Sequence, residues 1–162
     1  MTKFIESQDT GSTARKVIKT LKRQGVCTET LMPYVAGQLS TMPSRDAKSG
    51  QAAFKLSKAY RVLPNDLNMI LGVLNSGRPI IIAIAVFDSF ETGGVNGVLT
   101  IPDVNTENYN GNHGLVCVGA DLTKKLWIIR NQWGTNWGDK GYCYMPFGYE
   151  QFWISAWSGD FC

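Results

Sequence analysis

The stretch "IIRNQWGTNWGDKGY", residues 128–142, decides the fold, because it joins an apolar strand to a run of glycine and tryptophan. Ile128 comes 15 residues after His113, the only histidine of the chain, which lies in "NHGLVCVG", residues 112–119. The segments "GLVCVGA" and "KLWIIRN" between them are typical of two β-strands. An antiparallel hairpin places the start of its first strand beside the end of its second, so His113 and Asn131 are predicted neighbours.

The predicted pairing of His113 with Asn131 has a chemical meaning. An imidazole needs a partner on its far ring nitrogen to fix its tautomer and orientation, and a side-chain amide oxygen can be that partner. Trp133 follows two residues after Asn131 and is placed to shield the contact from water. Two plainer interpretations stand beside this one. A lone histidine before a strand is more often structural, and Trp133 and Trp137 are also explained by core packing.

Composition narrows the class of protein and its partners. The 162 residues are 44% hydrophobic and 18% charged with a net charge of +3, which is typical of a folded domain. No block of like charges indicates a nucleic-acid partner. The basic stretch "ARKVIKTLKRQG" has apolar residues at helical spacing, so we interpret it as a solvated helix face, with a phosphate-binding patch as the alternative.

Membrane, metal and cofactor sites are not expected. No run approaches about 18 apolar residues, and the N-terminus has no apolar signal region, so a cytoplasmic or virion-associated protein is favoured. With one histidine and four scattered cysteines, a zinc site is not expected, and no other metal or cofactor is predicted.

The order of elements predicts an α+β fold. Residues 12–24 are predicted to form a helix capped by Ser12 or Thr13, and a second helix is predicted after Asn65. Residues 35–50 and 91–112 are predicted loops. Residues 59–64 are a predicted short strand, and later strands are predicted in "PIIIAIAVF" and in three segments from residue 114 onward. We therefore expect one domain, with a helical part over about 9–78 and a β-rich part over about 79–162.

The two opening motifs resemble the His and Asn motifs of papain-like cysteine peptidases. "GVCTETLMPY" is similar to the "GVCPE…WPY" turn of the bacterial and viral cathepsin-like branch, and "GRPIIIAIAVFDSFE" and "GVLTIP" are similar to its barrel strands. The resemblance runs from about Asp9 to Tyr149. It implies a partial helical lobe followed by an antiparallel β-barrel-like lobe.

The resemblance also assigns expected roles. His113 matches the general base, Asn131 the residue that orients it, and Trp133 the indole that shields their hydrogen bond. Trp137 matches the motif's second tryptophan, and Asn112 stands where the family places a polar residue before the base. Ala83 is weakly matched to a wall of the substrate-binding pocket.

The motifs that match the family do not include the segment that carries its nucleophilic cysteine. It lies in a C-G-[SA]-C-[WY] signature roughly 130–150 residues before the His, whereas 112 residues precede His113 here and contain no such signature. Cys27 follows a helix C-terminus, where the partial charge does not favour a thiolate. None of the other three cysteines is an expected nucleophile. Cys117 lies about 13 Å along the strand from His113, Cys143 is interpreted as a core residue, and Cys162 is terminal.

The favoured interpretation is a papain-like cysteine peptidase chain that holds only the His/Asn half of its site. The chain is expected to be the C-terminal portion of the domain. Its partners would be a peptide or protein substrate, if active, and a second polypeptide that covers the cleft face or supplies the Cys helix. The alternative is an inactive pseudo-peptidase within a larger assembly such as a virion. An incomplete gene product and a plain β-rich interaction domain stay open as well.

Overall fold

The computed structural model describes residues 11–35, 37, 38 and 40–161. Its helices and strands follow the expected order of helices first and antiparallel strands later, which confirms the α+β class. The helices are α1 (Ala14–Arg23), α2 (Arg45–Gly50), α3 (Leu67–Asn75) and α4 (Asp88–Glu91). The strands are β1 (Leu56–Val62), β2 (Ile80–Phe87), β3 (Tyr109–Asp121), β4 (Leu126–Arg130), β5 (Tyr142–Pro146) and β6 (Trp153–Phe161). They form one six-stranded sheet in the order β1-β6-β2-β3-β4-β5.

The chain divides into two compact units, residues 1–59 with 159–162 and residues 60–158. The two units divide between residues 59 and 60, whereas the sequence analysis expected the helical part to extend to about residue 78. Helix α3 falls in the second unit, and its Ile70 is fully buried in the same core as the strands.

The core of the second unit follows the two-residue period of its strands. Ile80, Ile82 and Ile84 of β2 are fully buried, while the residues between them are half-buried. Ile82 pairs with Leu115 of β3, which is also buried, so the two strands share their apolar face. Full burial of one such side chain contributes about 1.5–3 kcal/mol. This shared face therefore fixes the register of β2 and β3, and with it the position of His113.

The first unit is built around the buried side of α1. The Thr13 side chain accepts a hydrogen bond from the Lys16 N–H at 3.3 Å and caps the helix, as predicted. Ile18 is buried. Gly25 follows with a φ of +82°, and a Cβ there would lie 2.0 Å from the Gln51 carbonyl oxygen, so only glycine fits this stop.

Two local predictions were wrong: one missed a helix that is too short to show a helical period, and the other named the wrong cap residue. Residues 35–50 were expected to be loop, but α2 forms within them, capped by Ser44, whose hydroxyl accepts from the Ala47 N–H at 3.1 Å. The cap of α3 is Asp66 instead of Asn65. The Asp66 carboxylate accepts from the Met69 N–H at 2.9 Å, three residues into the helix, which is the reach an N-cap needs.

Two further differences concern the sheet. The loop predicted over 91–112 ends earlier, because Tyr109 to Asn112 extend β3 and pair with β2. Strand β6 was not predicted at all. Its pairing with β2 contains a register shift between Ala83 and Ile84, so its burial does not alternate regularly along the sequence. Across the part of the chain that the structure describes, no helix is long and apolar enough to cross a membrane.

Candidate active site

His113 lies on β3, beside the buried face of the second unit. It pairs with Ile84 of β2, and Leu115 and Cys117 follow it on the same face in the strand's two-residue period. Both of these later residues are buried, whereas His113 itself is half-buried. The strand therefore carries its apolar side chains into the core and presents the imidazole at the end of that core.

Asn131 reaches His113 because β4 returns antiparallel to β3. Their pairing joins Val116 to Arg130, so the residue after Arg130 continues toward the start of β3. The Asn131 N–H donates to the Gly141 carbonyl at 2.9 Å, and the side chain is only 7% exposed. The predicted hairpin thus brings together the two residues 18 positions apart.

The hydrogen bond between the two side chains fixes the imidazole tautomer. His113 Nε2 lies 2.9 Å from Asn131 Oδ1. The same oxygen accepts the Gln132 N–H at 2.8 Å, and because a backbone N–H can only donate, the side-chain atom facing both is the oxygen. Nε2 must therefore carry the hydrogen, and in the neutral ring Nδ1 keeps the lone pair. Within the described ranges, Nδ1 has no hydrogen-bond partner, so it is free to accept a proton.

Aromatic rings pack against the imidazole of His113. The Trp133 ring lies 4.7 Å from the His113 ring, centroid to centroid, at 36°. Trp137 stands 5.4 Å from Trp133 and donates its indole N–H to the Glu91 carbonyl at 3.1 Å. Trp133 remains 42% exposed, so its ring packs on His113 and leaves its own outer face open to solvent. The two tryptophans pack against each other, and shielding of the His–Asn pair from water stays a prediction.

Phe90 is a site residue that the sequence analysis missed. It is fully buried, and its ring lies 6.1 Å from His113, 5.5 Å from Trp133 and 5.2 Å from Trp137. It belongs to α4, a four-residue helix whose sequence "DSFE" carries no period. Only the packing of this helix places the ring, so no local signal in the sequence could have found it.

Helix α4 is held by hydrogen bonds to the segment that leads into β3. The Asp88 carboxylate accepts from the Asn108 backbone N–H at 3.0 Å and from the Asn110 amide at 2.9 Å. These hydrogen bonds lower the pKa of Asp88, and the bond from the Asn108 backbone contributes more than the bond from the Asn110 side chain. The Ser89 N–H donates to Glu107 at 2.8 Å. These bonds fix the helix that carries Phe90.

Two other predicted site residues, Asn112 and Ala83, lie on the opposite face of the sheet from His113. Asn112 pairs with Ala85 and Gly114 pairs with Ala83, so Asn112 and Ala83 occupy sheet positions that alternate with that of His113. The Asn112 side chain is exposed and accepts a hydrogen bond from the Tyr109 hydroxyl at 2.7 Å. The structure does not bring Ala83 to His113, and the roles of Asn112 and Ala83 stay predictions.

Comparison with known families agrees with this geometry. The family model "Papain family cysteine protease" matches residues 5–155. The chain belongs to the papain family of cysteine proteases. It is 30% identical over 163 residues to a peptidase C1-like protein of Acanthamoeba polyphaga mimivirus, covering 91% of this chain and 52% of that protein. It is 33% identical over 133 residues to cathepsin K of Gallus gallus, covering 79% and 37%.

Solved structures of the papain family support the fold. Xylellain, a cysteine protease from Xylella fastidiosa, superposes with a TM-score of 0.84 at 27% identity, covering 94% of this chain and 62% of that one. Procathepsin L 3 from the larval midgut of Tenebrio molitor gives a TM-score of 0.70 at 23% identity, with 94% and 49% covered. The chain thus spans about half the length of the mimivirus relative and 37% of cathepsin K.

Cys117 and Cys143 of this papain-family chain are not placed to react with His113. Cys117 and Cys143 are fully buried and pair with opposite sides of Ile129, and burial raises the pKa of each thiol to about 12. Cys27 lies in the loop after α1, beside Gly50 at the end of α2. Cys162 lies outside the described residues. Among those residues, no group of three or more His, Cys, Asp or Glu is arranged to hold a metal ion.

We predict that Cys117 and Cys143 are unreactive toward thiol reagents at pH 8 while the chain is folded. Their pKa of about 12, against an ordinary value of 9.0, keeps them protonated. The unfolded chain loses these protons at lower pH than the folded chain. The free energy of unfolding should therefore fall as the pH rises from about 9 to about 12.

Mass spectrometry after a brief maleimide pulse at pH 8 tests the reactivity. Cys27 serves as the internal reference, because its side chain is partly exposed. Rapid modification of Cys117 or Cys143 in the folded chain would show that the two thiols are accessible and contradict the assignment.

Proposed function

We propose that this chain supplies the general base and its orienting residue to a papain-like cysteine peptidase, and that the nucleophilic Cys comes from elsewhere. The observation that carries the proposal is the bond from His113 Nε2 to Asn131 Oδ1, which leaves Nδ1 as the proton acceptor. The Cys could belong to a second polypeptide or to further sequence of the same protein. In either case the proposed activity is hydrolysis of peptide bonds in a polypeptide substrate.

The proposed mechanism follows from which ring nitrogen is free. Nδ1 of His113 takes the proton of the incoming thiol, and the thiolate attacks the peptide carbonyl. The imidazolium then donates the proton from Nδ1 to the leaving amine. Water hydrolyses the thioester, with His113 accepting a proton again. Throughout these steps Asn131 keeps Nε2 bonded and holds the ring in one orientation, so Asn131 positions the base and does not itself react.

The positions of Cys117 and Cys143 support the proposal that the nucleophile comes from outside this chain or from further sequence of the same protein. Cys117 is four residues along β3 from His113, a separation of about 13 Å, whereas proton transfer needs about 3 Å. Cys143 is closed off by the core and has a raised pKa. Each would require the sheet to rearrange before its sulfur met Nδ1.

A partner segment is supported by the surface of the first unit. A groove of about 760 Å³ is lined by residues of the 29–44 stretch, and several apolar side chains along it are exposed: Leu31 at 42%, Met32 at 39%, Tyr34 at 85%, Val35 at 48% and Met42 at 64%. Contiguous apolar surface of this kind is typical of interaction sites. We propose that a partner polypeptide covers this groove and increases the stability of the chain.

The orienting role of Asn131 can be tested without the nucleophile. The His113 Nε2–H should give a protected imidazole proton signal in NMR spectra of the chain, because the bond to Asn131 is partly buried. Asn131→Ala removes the acceptor and should abolish that signal, whereas Gln132→Ala keeps both the acceptor and the backbone N–H that bonds it. A signal that persists in Asn131→Ala would show that another group fixes the ring.

Complementation tests the peptidase proposal against the pseudo-peptidase alternative. The chain is co-expressed with a segment that carries the C-G-[SA]-C-[WY] signature, and hydrolysis of a fluorogenic peptide is measured. The proposal predicts hydrolysis that requires both parts and is lost when the signature's second Cys is replaced by Ser. A stable complex of the two parts with no hydrolysis would favour a binding module.

A further inference from the structure

Helix α1 presents a concentrated positive face to solvent. Five of its ten residues are basic and none is acidic, and all five are exposed: Arg15, Lys16, Lys19, Lys22 and Arg23. At 100° per residue they fall within an arc of about 120°. Ile18 lies about 40° beyond the edge of that arc, next to Lys22, and is buried. We call these five residues the basic face of α1.

The positive charge of this face is not neutralised by its surroundings. In the described part of the chain, none of the five side chains forms an ion pair with an Asp or Glu, whereas Lys124, outside this face, pairs with Asp121. Residues 11–59 hold nine basic and two acidic residues, a net charge of +7, whereas residues 60–162 hold six and nine, a net charge of −3. Basic residues serving only for solubility are usually mixed with acidic ones.

The chemistry of the helix selects among anionic partners. Of its four apolar side chains, Ile18 is buried and Ala14 and Leu21 are half-buried, which leaves Val17 alone exposed, too little for the apolar face of an amphipathic membrane anchor. No aromatic residue occurs in α1 to stack on exposed bases of a single strand. The chain belongs to a family of proteases, whose ordinary contacts are polypeptides. These observations favour a carboxylate-rich polypeptide over a lipid surface or a nucleic acid.

We propose that the basic face of α1 docks an acidic segment of a polypeptide, rich in Asp and Glu. Its cations recur every three or four residues, about 4.5–6 Å apart along the helix axis. Carboxylates on one face of a helix have the same spacing, and those on alternate residues of an extended segment lie about 7 Å apart. The proposal concerns binding alone and does not depend on where the nucleophilic Cys comes from.

Fluorescence anisotropy with the full 162-residue chain tests this docking. The probe is a labelled peptide of six glutamates separated by single glycines, and the reference peptide has glutamine in place of each glutamate. We expect binding of the glutamate peptide only, weakening as salt rises from 50 to 300 mM, about the range over which exposed charge pairs become screened. Lys19→Gln with Lys22→Gln should raise Kd about fivefold.

Lys124→Gln with Lys125→Gln is the matched control, because it removes two exposed charges from the β3–β4 turn and leaves the basic face intact. The control should leave Kd unchanged, and circular dichroism should show that both variants keep their helix content. Equal weakening by the two variants, or no binding of the glutamate peptide, would overturn the proposal. Tighter binding of a 20-base-pair duplex or of phosphatidylserine vesicles through the same lysines would overturn it in favour of those partners.

Discussion

His113→Ala is expected to abolish peptide hydrolysis in any assembly that supplies the nucleophilic Cys. The variant removes Nδ1, the proposed acceptor of the thiol proton and the proposed donor to the leaving amine. Because both roles are lost together, kcat/KM should fall by about ten thousandfold or more. The measurement is hydrolysis of a fluorogenic peptide by the complemented protein, with wild-type and variant chains compared at equal concentration.

Asn131→Ala provides the internal comparison for that result. It should cost about a hundredfold, because an orienting residue keeps the base in position but transfers no proton. His113→Gln, which keeps a polar group near Asn131, should be as inactive as His113→Ala. Full hydrolysis by either His113 variant would show that another group is the base, and the site assignment would be wrong.

Phe90→Ala is expected to have the largest effect on stability among the residues around the site. The ring is fully buried and touches His113, Trp133 and Trp137, so its removal leaves a cavity beneath all three. Truncation of a buried Phe lowers the free energy of unfolding by about 3–5 kcal/mol. Urea denaturation followed by tryptophan fluorescence measures this loss, and Phe90→Leu should recover part of it.

The same variant should also disturb the His–Asn pair. Without Phe90 the Trp133 ring can shift, and the Nε2–H signal of His113 should broaden or vanish. Phe152→Ala is the matched control, since that ring packs against Phe87 at 5.4 Å and Tyr149 at 5.6 Å. Loss of the signal in Phe152→Ala but not in Phe90→Ala would contradict the positioning role of Phe90.

The hairpin that carries the site could be predicted because its strands have the regular two-residue period of a buried sheet. Ile82 and Leu115 share one face, and that face sets the register that brings His113 to Asn131. The ring of Trp133, two residues after Asn131, packs against the His113 ring, and its role in shielding the pair stays a prediction.

Other parts could not be predicted, for identifiable physical reasons. Helix α2 has six residues and one buried side chain, Ala47, which is too little for a helical period to appear. The bulge in β6 breaks the alternation of its burial. Phe90 reaches the site through the packing of α4, whose position depends on Asp88 and Glu107 bonding across a loop. Such long-range hydrogen bonds leave no periodic trace in the sequence.

The most direct test of the central claim is thiol labelling of the isolated chain with an epoxide that alkylates papain-like cysteines, followed by mass spectrometry. The account predicts no labelling that depends on His113, because the nucleophilic Cys is proposed to come from elsewhere and because Cys117 and Cys143 are fully buried. Labelling of Cys27, Cys117, Cys143 or Cys162 that disappears in His113→Ala would contradict it, and would mean that the chain carries its own nucleophile.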